Sequence, residues 1–192
     1  MPSPLENLFG SLSGEWQLNL ETQVPRNDLY KSRIASSRPT LGFFLLLICS
    51  AVIATLGLIS NSTAVVIGAM IVAPLMDPIL SLAFGLAISD NRLVKRSAIT
   101  VIIGVLTVIG TSTLFGWILD ASEVNREIYS RTAPNLIDLG IAVAAAIAGS
   151  FTLTRDRLSN SIAGVAIAVA LVPPLCVCGI GLSMGSAVIA VF

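Results

Sequence analysis

The chain has 192 residues, of which 55% are hydrophobic and only 11% are charged, and its mean hydropathy is +0.90. Soluble domains carry about 25% charged residues, so this composition excludes a soluble globular protein and predicts an all-α integral membrane protein. The formal net charge is zero and no histidine is present. We therefore expect no nucleic-acid partner, no metal site, no cofactor and no enzyme activity.

Residues 1–40 precede the first apolar stretch and form the predicted cytoplasmic N-terminal segment. A capping-box pattern near its start predicts a short amphipathic helix with Leu5, Leu8, Phe9 and Leu12 on one face. This helix either anchors the chain in the membrane interface or packs on its own protein. The remaining alternative is that the segment is a disordered tail without a helix.

The spacing of charges predicts about five transmembrane helices, named here the first to the fifth span. Between Arg38 and Asp90 the only charge is Asp77, and this stretch can hold two spans joined by a tight turn at Ser60–Thr63. The other three spans are predicted from stretches with few or no charges, at residues 97–119, 135–153 and 158–192.

Basic residues predict the orientation of these spans. Most of them fall in residues 26–38, 92–96 and 155–157. The positive-inside rule places these segments on the cytoplasmic side, together with the N-terminus. The loop of mixed charge at residues 120–133 and the turn at Ser60–Thr63 are then expected outside.

Two stretches about 100 residues apart are similar, which predicts an internal repeat. SNSTAVVIGAMIVAPLMDPILSLAFG begins at Ser60, and SNSIAGVAIAVALVPPLCVCGIGLSMG begins at Ser159. Each copy belongs to a unit with an odd number of spans, so the second copy enters the membrane upside down. We predict a first three-helix repeat at 41–119, an external loop at 120–133, and a second, inverted and incomplete repeat at 134–192.

Prolines interrupt both copies at similar depths, so the second and fifth spans are predicted to be broken. Proline lacks an amide hydrogen and clashes with the carbonyl four residues back. Freed carbonyls inside a membrane are tolerated only against protein or in a water-filled cavity, so a substrate- or ion-binding site is predicted where the breaks meet near the midplane. Its predicted members are Asp77, Pro74, Pro78, Met70, Pro173, Pro174, Val169 and Ala170. The alternative is that the prolines only kink the helices and shape their packing.

Three polar features of the repeat each have two interpretations. A carboxylate at the bilayer centre costs about 2.5–3.5 kcal/mol. Asp77 therefore either binds the transported solute or ion, or stays protonated and donates a hydrogen bond to a freed carbonyl. Each copy also opens with a Ser-Asn pair, Ser60–Asn61 and Ser159–Asn160. These pairs either gate the two ends of a path or cap the helices that follow them.

The stretches SNSTAVVIGAMIVAPLMDPILSLAFGLAI, PNLIDLGIA and NSIAGVAIAVALVPPLCVCGIGL resemble a family of bacteria and archaea, the uncharacterized hydrophobic domain, a domain of unknown function. The resemblance covers residues 38–185, and cyanobacterial members look most similar. It implies a multi-span protein of a prokaryotic inner (plasma) membrane or thylakoid. It also implies a sixth span beyond Phe192, and Gly or Asn in many relatives where this chain has Asp77.

These observations favour a secondary transporter or channel for a small solute or ion. The alternative is a membrane scaffold that transports nothing and forms a homo-oligomer or binds another membrane protein. An intramembrane enzyme is disfavoured, because histidine is absent and Asp77 and Asp138 lie at different predicted depths. A water-accessible cavity at the midplane would favour transport, and a dry, packed interface would favour the scaffold.

Overall fold

The computed structural model describes residues 25–121, 124–132, 136–153 and 163–185. These ranges contain helices and no strand, so the chain is all-helical over the part described. The helices are α1 (Arg26–Ser36), α2 (Leu41–Ile59), α3 (Thr63–Val72), α4 (Met76–Ala87), α5 (Asn91–Ile118), α6 (Arg126–Ser130), α7 (Leu136–Leu153) and α8 (Ala163–Ser183). The predicted N-terminal amphipathic helix and the pair Ser159–Asn160 lie outside these ranges.

Several helices are apolar enough to lie in a membrane. Two of them, α2 and α5, are long enough to cross it alone, with mean hydropathies of 2.6 and 2.1 over their most apolar windows. A third span results if α3 and α4, which meet at an angle of 56°, are counted together. Shorter apolar stretches occur in α7 at Leu136–Gly149 and in α8 at Leu171–Ser183. By length and composition, two or three of the five predicted spans are thus candidates to cross a membrane, over the residues described.

A stripe of small residues on α5 forms the centre of the bundle. Its buried residues recur every three or four positions, which keeps them on one face of the helix. They are Leu93, Ser97, Thr100, Gly104, Val108, Ser112 and Gly116. Small side chains let neighbouring helices approach closely, and this is the usual way in which helices associate in a membrane.

Contacts along this stripe fix the helix directions. The Thr55 hydroxyl lies 2.9 Å from Oγ of Ser112, and Leu47 lies beside Gly104, so α2 runs parallel to α5. In the same way, α8 runs parallel to α5, because Gly179 adjoins Ser112 near the point where α8 ends. The span of α3 and α4 runs in the opposite direction. Thus α3 and α8, which lie within the two similar stretches, run in opposite directions, and the inverted repeat itself stays a prediction.

The two ends of the bundle differ in charge. At the basic end lie α1, the turn at residues 88–90 and the first turns of α5, which carry the exposed side chains of Arg92, Lys95 and Arg96. At the cap end lie the turn between α2 and α3 and the short helix α6. Which end faces the cytoplasm stays a prediction.

Helices α2, α4 and α5 end in the same way. Each is followed by a residue in the left-handed conformation, with φ of 53°, 57° and 48° at Asn61, Ser89 and Asp120. The next amide then donates to the carbonyl of a glycine inside the helix, which is a Schellman motif. The three pairs are Ser62 with Gly57, Asp90 with Gly85, and Ala121 with Gly116. Glycine is needed at Gly57 because a Cβ there would lie 3.0 Å from the amide of the following helix.

At the cap end, α6 and the turn between α2 and α3 cap each other. The side-chain amide of Asn125 donates to the carbonyls of Leu58 and Ile59 at 3.0 and 2.7 Å, where α2 ends. In return, Oδ1 of Asn61 accepts from the amide of Glu127 in the first turn of α6 at 3.2 Å. The loop and the turn therefore lie at the same end of the bundle.

Candidate functional site

The span of α3 and α4 is interrupted at residues 73–75. Ala73 has φ −69° and ψ 120°, the extended conformation toward which a residue preceding proline is driven. Pro74 lies in the interruption, and the helix resumes at Met76. Pro78 is the third residue of α4, and in this first turn a missing amide hydrogen costs little. Pro78 therefore stands in the first turn of a helix and does not break one, although it was predicted among the residues of the break.

One carbonyl beside this interruption has a side-chain partner inside the protein. The Ser50 hydroxyl of α2 donates to the carbonyl of Ala69 at 2.7 Å, and both groups are buried. The neighbouring Met70, a predicted site residue, is 1% exposed and belongs to the apolar core. The interruption is thus stabilised by α2 and needs no bound ligand to satisfy the Ala69 carbonyl.

The second pair of prolines does not interrupt its helix. Helix α8 continues through Pro173 and Pro174, so the predicted break of the fifth span is not observed. The prolines still deprive the carbonyls of Val169 and Ala170 of their usual helical donors. Close packing accounts for the continuity of α8, because a Cβ on Gly179 would lie 2.7 Å from the backbone oxygen of Ile109 on α5.

The interruption and α8 meet in one apolar core rather than around an oxygen-rich cavity. The buried residues shared there are Met70, Ala73 and Leu75 from the interrupted span and Val172, Cys176 and Val177 from α8. Toward the cap end, the Thr55 hydroxyl also donates to the Ala51 carbonyl at 2.7 Å. The region in which the binding site was predicted is therefore apolar and packed, as far as the described side chains extend.

Asp77 lies nearer the basic end than was predicted. Leu75, just before α4, shares a level with Gly104 and with Leu47, which is about 9 Å along α2 from Leu41 at 1.5 Å per residue. Asp77 follows on the basic side of this level, and its side chain is 54% exposed. Asp77 therefore lies on the basic side of the middle of α2, and its predicted depth in a membrane stays a prediction.

A buried arginine is the partner of Asp77. Nη1 of Arg33, on α1, lies 3.4 Å from Oδ1 of Asp77, and the Arg33 side chain is 9% exposed. Nη2 of Arg33 donates to Oγ of Ser32 at 3.2 Å, while its buried Nε has no hydrogen-bond partner among the described residues. From the sequence, Arg33 was predicted only to be one of the basic residues on the cytoplasmic side. The available signal was that Lys31 and Arg33, two positions apart, cannot share one face of a helix.

Two further hydrogen bonds fix α1 to the bundle. The Tyr30 hydroxyl donates to Oδ2 of Asp90 at 2.8 Å, and the Thr100 hydroxyl donates to the carbonyl of Ser37 at 2.8 Å. The bond from Tyr30 lowers the pKa of Asp90, and the same bond raises the pKa of Tyr30. Asp90 also caps α5 by accepting from the amides of Arg92 and Leu93.

Of the predicted gating or capping residues, the structure describes the first pair. The Ser60 hydroxyl donates to the carbonyl of Gly57 at 3.2 Å within its own turn. Asn61 caps α6 and not α3, the helix that directly follows it. The N-cap residue of α3, Ser62, makes no side-chain cap, and the Thr63 hydroxyl donates to Oε1 of Glu127 instead. Through these contacts the turn and α6 cap each other across distant parts of the chain. The predicted alternatives were gating and capping of the helix that directly follows.

Comparisons with known proteins give a family without an assigned activity. The family model described as a domain of unknown function, DUF389, matches residues 70–192, a range that contains the interruption and α8. An uncharacterized protein of Methanocaldococcus jannaschii is 36% identical over 162 residues, which cover 83% of this chain and 50% of that protein. The chain thus spans about half the length of this curated relative. No solved structure matches the chain.

Proposed function

We propose a transport function for this chain, which belongs to the family described as a domain of unknown function, DUF389. The resemblance stated from the sequence is thereby confirmed. In the proposal the chain is the membrane-embedded part, or a portion of it, of a secondary transporter or channel for a small solute or ion. Its five apolar segments are all taken as spans, with α1 on the cytoplasmic side.

The observation that carries the proposal is the interruption at residues 73–75. A helix that starts inside a bundle directs the positive end of its dipole at the interior, and transporters use such starts to bind what they move. Helix α4 starts in this way, with Asp77 in its first turn and with no side-chain cap. A purely structural span would gain a continuous set of hydrogen bonds by remaining straight.

The packed apolar core means that, in the proposal, a path through this bundle opens by movement. Helix α4 is the part that moves in the proposal, because residues 73–75 separate it from α3; it also packs along α5, and the Arg33–Asp77 pair holds it to α1. Helix α8, by contrast, is fixed along α5 by small-residue contacts. In the proposal, α4 tilts against the rest of the bundle and exposes its own start.

A membrane scaffold is the second candidate, and the packed core favours it. Large apolar side chains also remain exposed along α7, where they suit either lipid or another membrane protein. They include Leu139, Ile141, Val143 and Ile147. A scaffold needs the interruption only for its shape, so flux measurements separate the two candidates.

The test is tracer or current flux in proteoliposomes, with a panel of ions and small metabolites. Pro74→Ala lets α3 and α4 join into one helix, and we expect flux to fall at least about tenfold, which corresponds to about 1.4 kcal/mol in the barrier. Pro78→Ala is the matched control, because Pro78 stands where proline suits a helix start. It should retain flux within about twofold.

Flux through folded protein that survives Pro74→Ala would contradict a role for the interruption. Size-exclusion chromatography in detergent reports whether each variant is folded. No flux for any solute, from protein that elutes as a single species, would favour the scaffold.

A further inference from the structure

Arg33 is unusual because it is buried and one of its hydrogen-bond donors has no acceptor among the described residues. Its side chain is 9% exposed, and its contact with Asp77 is a single one at 3.4 Å. The buried Nε has no partner among the residues described. A guanidinium carries five hydrogen-bond donors in a planar fork that matches carboxylate or phosphate, so this one lacks acceptors.

The guanidinium contacts Asp77 in the first turn of α4, a helix whose N-cap residue provides no side-chain acceptor. Leu75, the N-cap residue, makes no side-chain hydrogen bond to the first amides of this twelve-residue helix. Unpaired amides and the helix dipole favour an anion at such a start. Two independent features, a buried cation with a free donor and an uncapped helix start, thus call for negative charge at one place.

Asp77 supplies part of that negative charge. Its carboxylate meets Arg33 through one oxygen, and its side chain is 54% exposed, so the contact is open on one side. A charged pair with one long contact leaves much of the desolvation of Arg33 uncompensated. An oxyanion with more acceptor oxygens would satisfy the fork better than Asp77 does.

We infer that Arg33 and the start of α4 form a binding site for a phosphate-class oxyanion, with Asp77 as the internal carboxylate that occupies the site when the ligand is absent. The inference gives a substrate class to the proposed transport and rests on that proposal only in this respect. The oxyanion comes either from a free anion or from the headgroup of an anionic lipid.

The experiment is calorimetric titration of the purified protein with inorganic phosphate, in a phosphate-free detergent at constant ionic strength. Asp77→Asn removes the competing carboxylate, so phosphate should bind about tenfold more tightly. Arg33→Gln removes the fork, so binding should weaken by about tenfold or more. A second arm adds phosphatidylglycerol and counts the lipids retained by native mass spectrometry.

Matched controls change the same charges elsewhere on α1. Asp28→Asn and Lys31→Gln alter exposed side chains of that helix, and neither should change phosphate affinity by more than about twofold. If Arg33→Gln does not fold, Arg33→Lys keeps the charge and loses the fork, and it should still bind more weakly than the natural protein.

Phosphate binding that depends on Arg33 and tightens in Asp77→Asn supports a free oxyanion. Lipid retention with the same dependence, without phosphate binding, supports the headgroup as the source. The inference is overturned if neither ligand binds, if binding ignores Arg33, or if Asp77→Asn does not tighten it. Binding without any flux would remove the transport proposal alone, and flux of another solute without binding would remove this inference alone.

Discussion

The two proline sites of this bundle differ in whether the helix is interrupted there. At Pro74 the helix stops, and the next one leaves at an angle of 56°. At Pro173 and Pro174 the helix continues. Both sites contain residues that belong to one apolar core, so their difference does not arise from polarity.

The neighbours of each site account for the difference. At the first site, Ser50 provides a hydroxyl for the carbonyl of Ala69, and Leu75 enters the notch left by Gly104. At the second, Gly179 lies against the backbone of α5. This close contact leaves α8 no room to bend toward α5. Proline thus weakens a helix at both places, and adjacent helices decide whether the helix ends.

The largest expected effect comes from removing the contact that keeps α8 against α5. Gly179→Val adds atoms where even a Cβ would lie 2.6 Å from Cβ of Ser112. Overpacking of this kind costs about 3 kcal/mol, and it should allow α8 to bend at its prolines. Denaturant unfolding in detergent measures the loss. Gly110→Val is the matched control, because a Cβ there meets nothing within 4 Å. Equal losses for both variants would contradict this account.

A smaller effect is expected from removing the hydroxyl at the other site. Ser50→Ala leaves the buried carbonyl of Ala69 without this donor, at a cost of about 1–2 kcal/mol. The same unfolding measurement applies. Ser130→Ala removes an exposed hydroxyl that bonds within its own turn, and it should change stability by less than about 0.5 kcal/mol. A neutral result for Ser50→Ala would mean that the interruption does not depend on α2.

The smallest effect concerns the attachment of α1, the helix that contacts Asp77 just after the first proline site. Because Tyr30 lowers the pKa of Asp90, their bond is present at neutral pH and is lost as the pH falls through that lowered pKa. Hydrogen exchange of residues 26–36 should therefore speed up in acid, after correction for intrinsic rates. Tyr30→Phe should exchange faster already at neutral pH and lose this acid dependence. Unchanged exchange in the variant would show that α1 is held by its other contacts.

Local patterns in the sequence predicted the helices well and their contacts poorly. Apolar runs and charges located α2, α5 and the tight turn that begins at Ser60, because a membrane helix satisfies its own backbone. The pairing of Arg33 with Asp77, 44 residues apart, depends on how α1 folds back and leaves no periodic signal. The prolines of α8 were overinterpreted for the same reason, since their effect depends on Gly179 and α5. One local signal was missed, namely glycine four positions before Asn61, Ser89 and Asp120.

The mutual capping at the cap end has a consequence for biosynthesis. The carbonyls of Leu58 and Ile59 are satisfied by Asn125, which lies 67 and 66 residues later in the chain. As the chain emerges from the ribosome, α2 and α3 insert as a hairpin before this partner has been made. Helix α5 has to be inserted before α6 reaches the same end, so α6 can cap the turn only after the first three spans have been made. A nascent chain that stops before Asn125 should therefore insert its hairpin, but the carbonyls of Leu58 and Ile59 would lack the Asn125 donor.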